Sequence, residues 1–159
     1  MSLKDVLQEF MNGEEWEDEI QHDDSDNTDF VNTQIDIDGQ IHTLMLLTDD
    51  DNHLMQVAMF SPIVVPKQRR NDACVLVNGL NNRMRYGNLL IQDSGNFAWR
   101  WAVNVEGIIA APIQIANMLR VAVDAFDTLR RDAMGAAALS KQSGKELLDN
   151  YFKAIEEAI

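Results

Sequence analysis

Two neighbouring segments, residues 41–48 and 53–60, carry apolar side chains at both odd and even positions, and nothing else in the chain restricts its fold as strongly. In the first, Leu44 and Leu46 alternate with Met45 and Leu47; in the second, Met55, Val57 and Met59 alternate with Leu54, Ala58 and Phe60. A strand with one wet face shows strict alternation, so strands apolar at both parities call for cover on both sides, from helices or from a second subunit. The segment before them does alternate: Thr33, Ile35 and Ile37 lie between Gln34, Asp36 and Asp38. Asp38-Gly39 supplies a tight hairpin turn that tolerates positive φ, and Asp49-Asp50-Asp51-Asn52 makes a longer one. The three segments read as an antiparallel meander with the second and third strands inside the sheet.

Helical spacing brackets this meander. Ser2 is placed to cap a short helix bearing Leu3, Val6, Leu7, Phe10 and Met11, closed by Gly13. After Pro62, Pro66 opens a helix expected over residues 66–84, with Ala73, Val77, Leu80 and Met84 on one stripe. A second hairpin spans residues 87–106 around Asp93-Ser94-Gly95-Asn96, with Phe97, Trp99, Trp101, Val103 and Val105 on one face. Pro112 starts a long helix, expected to 134, with Ile115, Leu119, Ala122, Phe126, Leu129 and Ala133 buried and Asp127 pairing with Arg131. The Ala/Gly/Ser run 135–144 reads as a flexible break before a final amphipathic helix, 145–158, carrying Leu147, Leu148, Tyr151, Phe152 and Ile155. The expected fold is α+β, with about five antiparallel strands in the order α-βββ-α-ββ-α and an extra C-terminal helix. The expected division is 1–29 (helix and acidic linker), 30–134 (the α+β domain) and 135–159.

Charge is divided unevenly. Residues 1–66 hold sixteen acids and one base, Lys4, whereas the rest hold twelve Lys/Arg and ten Asp/Glu, which splits the net −13 into −15 and +2. Such an acidic front repels nucleic-acid phosphate and anionic lipid, so neither is expected as a partner. Nine of the sixteen residues 14–29 are acidic. At that density like charges oppose burial, so a mobile linker is expected there. Arg69 and Arg70 sit where a helix dipole disfavours cations, and a carboxylate from the acidic front could relieve them. The single cysteine, Cys74, allows no internal disulfide, and the start of the chain lacks a signal peptide's apolar core, so the cytoplasm is the expected compartment.

Motifs that carry chemistry are missing. His22, His42 and His53 are scattered and read as surface residues, with His42 and His53 expected near facing ends of adjacent strands; no metal site is expected. Asp23-Asp24-Ser25-Asp26 lacks the glycine and terminal glutamate of a calcium loop. No phosphate loop, nucleophile elbow or zinc-protease helix occurs, and no cofactor is expected. Cys74 reads as a small hydrophobe beside a helical stripe, and the Phe97–Trp99–Trp101 stripe as core. The bases Lys67, Arg69, Arg70, Arg83, Arg85 and Arg100 are candidates to gather in one region and meet phosphate or the chain's own acids. No catalytic, cofactor-binding, metal or partner-binding residue is singled out.

Two stretches resemble a known family. One follows Val65-Pro66 and ends VNGLNNRMRYGNLLIQDSGNFAWRWAV; the other is the helix PIQIANMLRVAVDAFDTL. The helix ending in an Asn-rich turn (Asn78, Asn81, Asn82), the hairpin turning at Asp93 and Gly95, and the long helix through Asp124, Phe126 and Leu129 are similar to the YbjN family of bacterial sensory-transduction regulators. The likeness spans about residues 33–131 and leaves the acidic stretch and the last helix outside. It implies a fold like that of type III secretion chaperones and no catalytic set. The leading expectation is a non-enzymatic regulator or adaptor that binds another protein. The alternatives are a secretion-chaperone-like protein holding an unfolded client segment and, third, a small carboxylate-based hydrolase. A homodimer is expected from the two-sided strands and the amphipathic C-terminal helix.

Overall fold

A computed structural model describes residues 1–159 and contains a six-stranded antiparallel sheet. In chain order the elements are α1 (Leu3–Gly13), β1 (Gln21–Asp23), β2 (Thr28–Ile37), β3 (Gln40–Asp49) and β4 (Leu54–Val64). A 3-10 turn (Lys67–Arg69) leads into α2 (Arg70–Asn81), followed by β5 (Asn88–Ile91), β6 (Asn96–Asn104), α3 (Pro112–Ala125), α4 (Thr128–Leu139) and α5 (Gly144–Glu157). The sheet order is β1-β2-β3-β4-β6-β5. The α+β meander and second hairpin are as expected, with one strand more.

The extra strand lies in the segment expected to be a linker. Gln21, His22 and Asp23 pair with Phe30, Asp29 and Thr28. The acids of residues 14–29 do not oppose this pairing because most are exposed, and the inward one, Asp29 of β2, is neutralised: it accepts from Lys4 Nζ at 2.8 Å and lies 3.1 Å from His22 Nδ1. Burial pushes the Asp29 carboxyl up, but the bonds from Lys4 and His22 outweigh it and hold it below the usual carboxylate range. The connection from α1 is anchored by Trp16, edge-on to Phe10 at 5.4 Å, and by Thr33 Oγ1 donating to Asp18 at 2.8 Å.

The long helix expected from Pro112 is two helices. Asp127 accepts from Arg130 N–H at 3.0 Å as the N-cap of α4, and Phe126 leaves helical geometry to bury its ring 5.2 Å from that of His42. Capping thus wins over the pairing expected between Asp127 and Arg131. Asp127 pairs with Arg130, while Arg131 donates to Ile37 O at 2.9 Å and Asp38 at 2.6 Å, tying α4 to the β2–β3 hairpin. The expected break at 135–144 is largely helix, because its alanines are strong helix formers and Ala137 and Met134 enter the core.

Helix α5 starts in a capping box between Ser143 and Glu146 and lies on α2 and α4. The approach to α2 is close: a Cβ on Gly79 would fall 2.3 Å from Leu148, and one on Gly144 would fall 2.5 Å from Asp72 O. Arg83 stacks over Phe152 at 4.2 Å. The apolar side of the C-terminal helix is therefore engaged within the chain. Arg69 also serves this junction, donating to Asp72 at 2.6 Å, to Ala137 O at 3.2 Å and to Gln142 O. These groups, and none from the acidic front, relieve the cation that the sequence places at the start of α2.

A single core of 31 buried residues runs from Leu3 to Tyr151 and joins α1 through α5 to one face of the sheet. That face presents Val31, Leu44, Leu46, Met55, Val57, Met59, Phe97 and Trp99. The exposed edge of β5 is blocked by a side chain: Asn81 accepts from Leu89 N–H at 2.8 Å and donates to Leu89 O at 2.9 Å. An amide in that position mimics a neighbouring strand and blunts edge-to-edge pairing.

His42 follows the parity of Leu44 and Leu46 and is fully buried, which corrects its reading as a surface residue. It also lies at the opposite end of the sheet from His53, since β3 and β4 are antiparallel. One ring nitrogen, Nδ1, is 3.0 Å from Gln40 O; the other, Nε2, has no partner. Burial holds its pKa below the ordinary value of 6.5; the Gln40 carbonyl opposes that, Arg131 adds to it and Asp36 opposes it. Below pH 6.5 the unfolded chain takes up a proton that the fold resists, so stability falls as pH drops from 6.5 towards the folded pKa. Urea titrations at pH 7.5 and 5.5 should show a loss of up to about 1.4 kcal/mol per pH unit in this window. The loss should flatten in His42→Leu, and an unchanged slope in that variant would assign it elsewhere.

Candidate protein-docking surfaces

The largest concentration of exposed aliphatic side chains is at the connection between β6 and α3. Residues 107–113 read Gly-Ile-Ile-Ala-Ala-Pro-Ile, and Ile108, Ile109 and Ile113 are 55%, 94% and 63% exposed. The loop is built at both ends. Ile108 N–H donates to Val105 O at 3.2 Å beside Gly107 (φ +75°), and Ala111 N–H donates to Gln114 Oε1 at 2.7 Å, where Pro112 begins α3. Ile109 is thus held outward between two fixed points.

Beneath the loop is a cleft of about 710 Å3, closed on its other side by Leu3 of α1 and by Asp50 and His53 of the β3–β4 turn. That wall is tied together by acids. Asp50 accepts from Leu3 N–H at 2.7 Å, placing a carboxylate at the positive end of α1, and Asp5 and Ser2 close a capping box there. Asp49 accepts from Asn52 N–H at 2.9 Å and Nδ2 at 2.8 Å, and these bonds hold its carboxyl below the usual range. Glu9 lines the rim of the cleft and Glu106 adjoins the loop. The chemistry is an aliphatic floor with a carboxylate rim, which suits an apolar side chain flanked by a cation. A second cleft, about 580 Å3, lies between β4 and α4, but its cation, Arg131, is held by Ile37 and Asp38.

The second surface is the face of the sheet opposite the helices. Register puts Phe30, Met45, Leu47, Leu54, Ala58 and Phe60 there, with Asn32, Gln34, Gln56 and Arg100 among and around them. Phe30, Met45, Leu47, Leu54 and Phe60 are half-buried, and none belongs to the core or packs against it.

The remaining residues weighed in the sequence are dispersed. Phe97 and Trp99 are buried in the core as expected, and Trp101 is half-buried with Tyr86 at 4.9 Å. Cys74, expected as a small hydrophobe beside a helical stripe, is exposed on α2. The basic residues do not gather: Arg69 is held by α4 and the α4–α5 connection, Arg83 stacks on Phe152 of α5, Arg70 donates to Asp93 O, and Arg100 is on the open sheet face. No group of three or more His, Cys, Asp or Glu is placed to hold a metal ion. Asp5, Asp23, Asp29, Asp49 and Glu146 are the carboxyls displaced from their ordinary pKa values, all downwards, with hydrogen bonds from caps, turns or ion pairs responsible. No helix is long and apolar enough to cross a membrane. The exposed isoleucine loop was not singled out from sequence, although Ile-Ile and Ala-Ala between Gly107 and Pro112, outside any regular period, were its signal.

The fold is thus an α+β one, an antiparallel sheet with every helix on one side and apolar surface left open on the other. The YbjN family profile, described as "Putative bacterial sensory transduction regulator", matches residues 3–133, and the chain belongs to that family. The match takes in α1 and the acidic segment, which the resemblance read from sequence left outside. Among solved structures, a chain of the "HopA1-SchA Chaperone-Effector Complex" aligns at TM-score 0.51 and 17% identity, covering 77% of this chain and 88% of that one. A structure titled "Crystal structure of YbjN, a putative transcription regulator from E. coli" aligns at TM-score 0.47 and 11% identity, covering 76% and 89%. No curated protein matches the chain in sequence.

Proposed function

We propose that this chain is a non-enzymatic regulatory or adaptor protein of the bacterial cytoplasm that acts by binding another protein. The observation that carries this reading is the loop of Ile108, Ile109 and Ile113 above an aliphatic cleft rimmed by Glu9 and Asp50. A protein with net charge −13 has little reason to expose three isoleucines on a tied loop unless a partner covers them. The acidic front serves the same end, because its field attracts basic partners and speeds their encounter. Membership of a family described as sensory-transduction regulators supports the regulatory reading. The fold shared with a chain of a chaperone–effector complex supports the second reading, a holder of an unfolded client segment. A carboxylate hydrolase needs an acid kept protonated, and the displaced carboxyls all move the other way.

The test is affinity capture from a bacterial host lysate with wild type and Ile109→Asp side by side. Ile109 is almost wholly exposed, so the variant should fold normally. Wild type should retain a defined protein that rebinds when purified, and Ile109→Asp should weaken that rebinding at least tenfold. A folded signalling protein favours the regulator, and an unfolded secretory client favours the chaperone reading. Equal rebinding by both forms would remove the cleft from the proposal.

A further inference from the structure

We infer that β6 takes up an extended segment of another protein as an added strand, along its last residues, Trp101–Asn104, where β5 has ended. This shares the protein-binding reading above but stands on the sheet edge and is independent of the isoleucine cleft. β5 pairs with β6 only as far as Asn88 opposite Arg100, whereas β4 pairs on to Asn104. Gly87, at φ +64°, turns the chain away just before Asn88. Residues 101–104 therefore have a strand on one side alone. Hydrogen-bond direction alternates along an antiparallel strand, and neighbouring bonds fix its phase here. Val105 N–H donates to His53 O at 2.7 Å on the β4 side, and Gln92 N–H donates to Asn96 O at 3.0 Å on the β5 side. Asn81 holds both backbone groups of Leu89 on the outer edge of β5, so Leu89 does not use them on Trp99. Even-numbered residues of β6 thus face β5, and beyond its end Ala102 and Asn104 each turn an N–H and a C=O outwards. Both residues are exposed. The outer edge of β5 is closed by Asn81, while no proline or lysine blunts this one.

The two flanks of this edge define the segment it takes. On the helix side Trp101, Val103 and Val105 line a cavity of about 180 Å3 together with Gln114, Asn117 and Met118 of α3. Trp101 and Val103 are only half-buried, and Tyr86 stacks on Trp101 at 4.9 Å as an end wall. In an antiparallel added strand the residue opposite Val103 stands on that side. It forms a non-hydrogen-bonded pair, in which side chains approach most closely. An aliphatic side chain there enters the cavity. Its two neighbours, opposite Ala102 and Asn104, exchange the backbone bonds and point to the open side of the sheet. The one opposite Ala102 lies diagonal to Arg100, an exposed cation, so a carboxylate suits that place. The occupant is therefore an extended segment running in the direction of β5, with an aliphatic residue followed at once by an acidic one. Main-chain bonds supply affinity in such strand addition, and the pocket for the alternate side chain supplies specificity.

The experiment is an NMR titration of the isotope-labelled full chain with the peptide acetyl-Lys-Val-Thr-Leu-Glu-Thr-amide, whose Leu is set opposite Val103 and whose Glu is set opposite Ala102. In the free chain the amides of Ala102 and Asn104 should exchange with solvent at least tenfold faster than those of Trp101 and Val103, and saturating peptide should remove the difference. Methylating the backbone nitrogen of the peptide Glu, which donates to Ala102 O, should raise the dissociation constant at least tenfold. Methylating that of the peptide Leu, which points away from β6, should change it less than threefold. Asp in place of the peptide Leu should also raise it at least tenfold. Ala102→Pro deletes an N–H that β4 does not use and should abolish binding; where that variant folds poorly, the methylated peptides test the same edge on wild type. Arg100→Glu should weaken binding at least threefold, and a peptide with Lys in place of its Glu should recover it. No saturation by about 1 mM, or an equal response to the two methylations, would overturn the proposal. So would peptide-induced protection confined to amides outside residues 101–105. The isoleucine cleft is scored apart, by the partner captured with wild type and Ile109→Asp, so that either reading can fail without the other.

Discussion

Trp99→Ala is expected to lower the free energy of unfolding by about 4 kcal/mol, the largest effect of any single truncation in the chain. Trp99 is the largest fully buried side chain. It stands on β6 between Met59 of β4 and Leu89 of β5, with Trp101 edge-on at 6.4 Å, on the sheet face that meets the helices. Truncation leaves a cavity that backbones on both sides cannot close. Its indole N–H has no partner, so the alanine also relieves a small desolvation penalty, which keeps the figure below the upper end of the range. For a domain whose total stability is about 5–15 kcal/mol, such a loss leaves it marginal at physiological temperature. Urea unfolding followed by far-ultraviolet circular dichroism measures it directly. A change below about 2 kcal/mol would mean that the site collapses around the smaller side chain.

Gly87→Ala comes next, at about 3 kcal/mol, and its cause is separable. Gly87 turns the chain from α2 into β5 at φ +64°, and a Cβ there would sit 2.4 Å from two carbons of the Trp99 ring. The backbone contribution is about 1–2 kcal/mol for a non-glycine residue in the left-handed region. The remainder is overlap with a rigid, fully buried indole that has no free rotamer to take. Because the overlap requires the indole, the two substitutions should be strongly non-additive. In a Trp99→Ala background, Gly87→Ala should cost only the backbone part, giving a coupling of about 1–2 kcal/mol in a double-mutant cycle. Additivity within a few tenths would place the whole cost in the backbone.

Both results bear on function, because they place the aromatic stripe in the foundation of the molecule. The sequence reads the Phe97–Trp99–Trp101 stripe as core, since it alternates along one strand and no basic residue shares its face. In the fold the stripe supports α2 and β5, and the surfaces left for partners are aliphatic: the isoleucine loop and the far face of the sheet.

Local chemistry was legible wherever it acted over a few residues. Ser2 as a cap, Asp38-Gly39 as a turn, Pro112 at the start of a helix and the period-two stripe of β6 all behave as read. Where two local signals compete, the structure follows the less conspicuous one. Helical periodicity through Phe126 concealed Asp127 as an N-cap, and an Ala/Gly run passed for a hinge although alanine is the strongest helix former. For His42 residue type points to the surface, but its parity with Leu44 and Leu46 places it inside. In the acidic segment charge density opposes burial, but it does not oppose a short edge strand, Gln21–Asp23, flanked by exposed acids.

By itself the sequence determined most of the strands and helices and where most of them turn, because dihedral preferences, caps and apolar period are properties of neighbouring residues. It also determined that β3 and β4 are apolar on both faces. Only the tertiary structure decided which face is covered. That choice depends on where the connections after β4 and β6 carry the helices, and on close approaches such as Gly79 to Leu148 that fix α5 on α2. These are contacts between residues far apart in the chain, which no local pattern encodes. They take all five helices to one side and leave the other face of the sheet open.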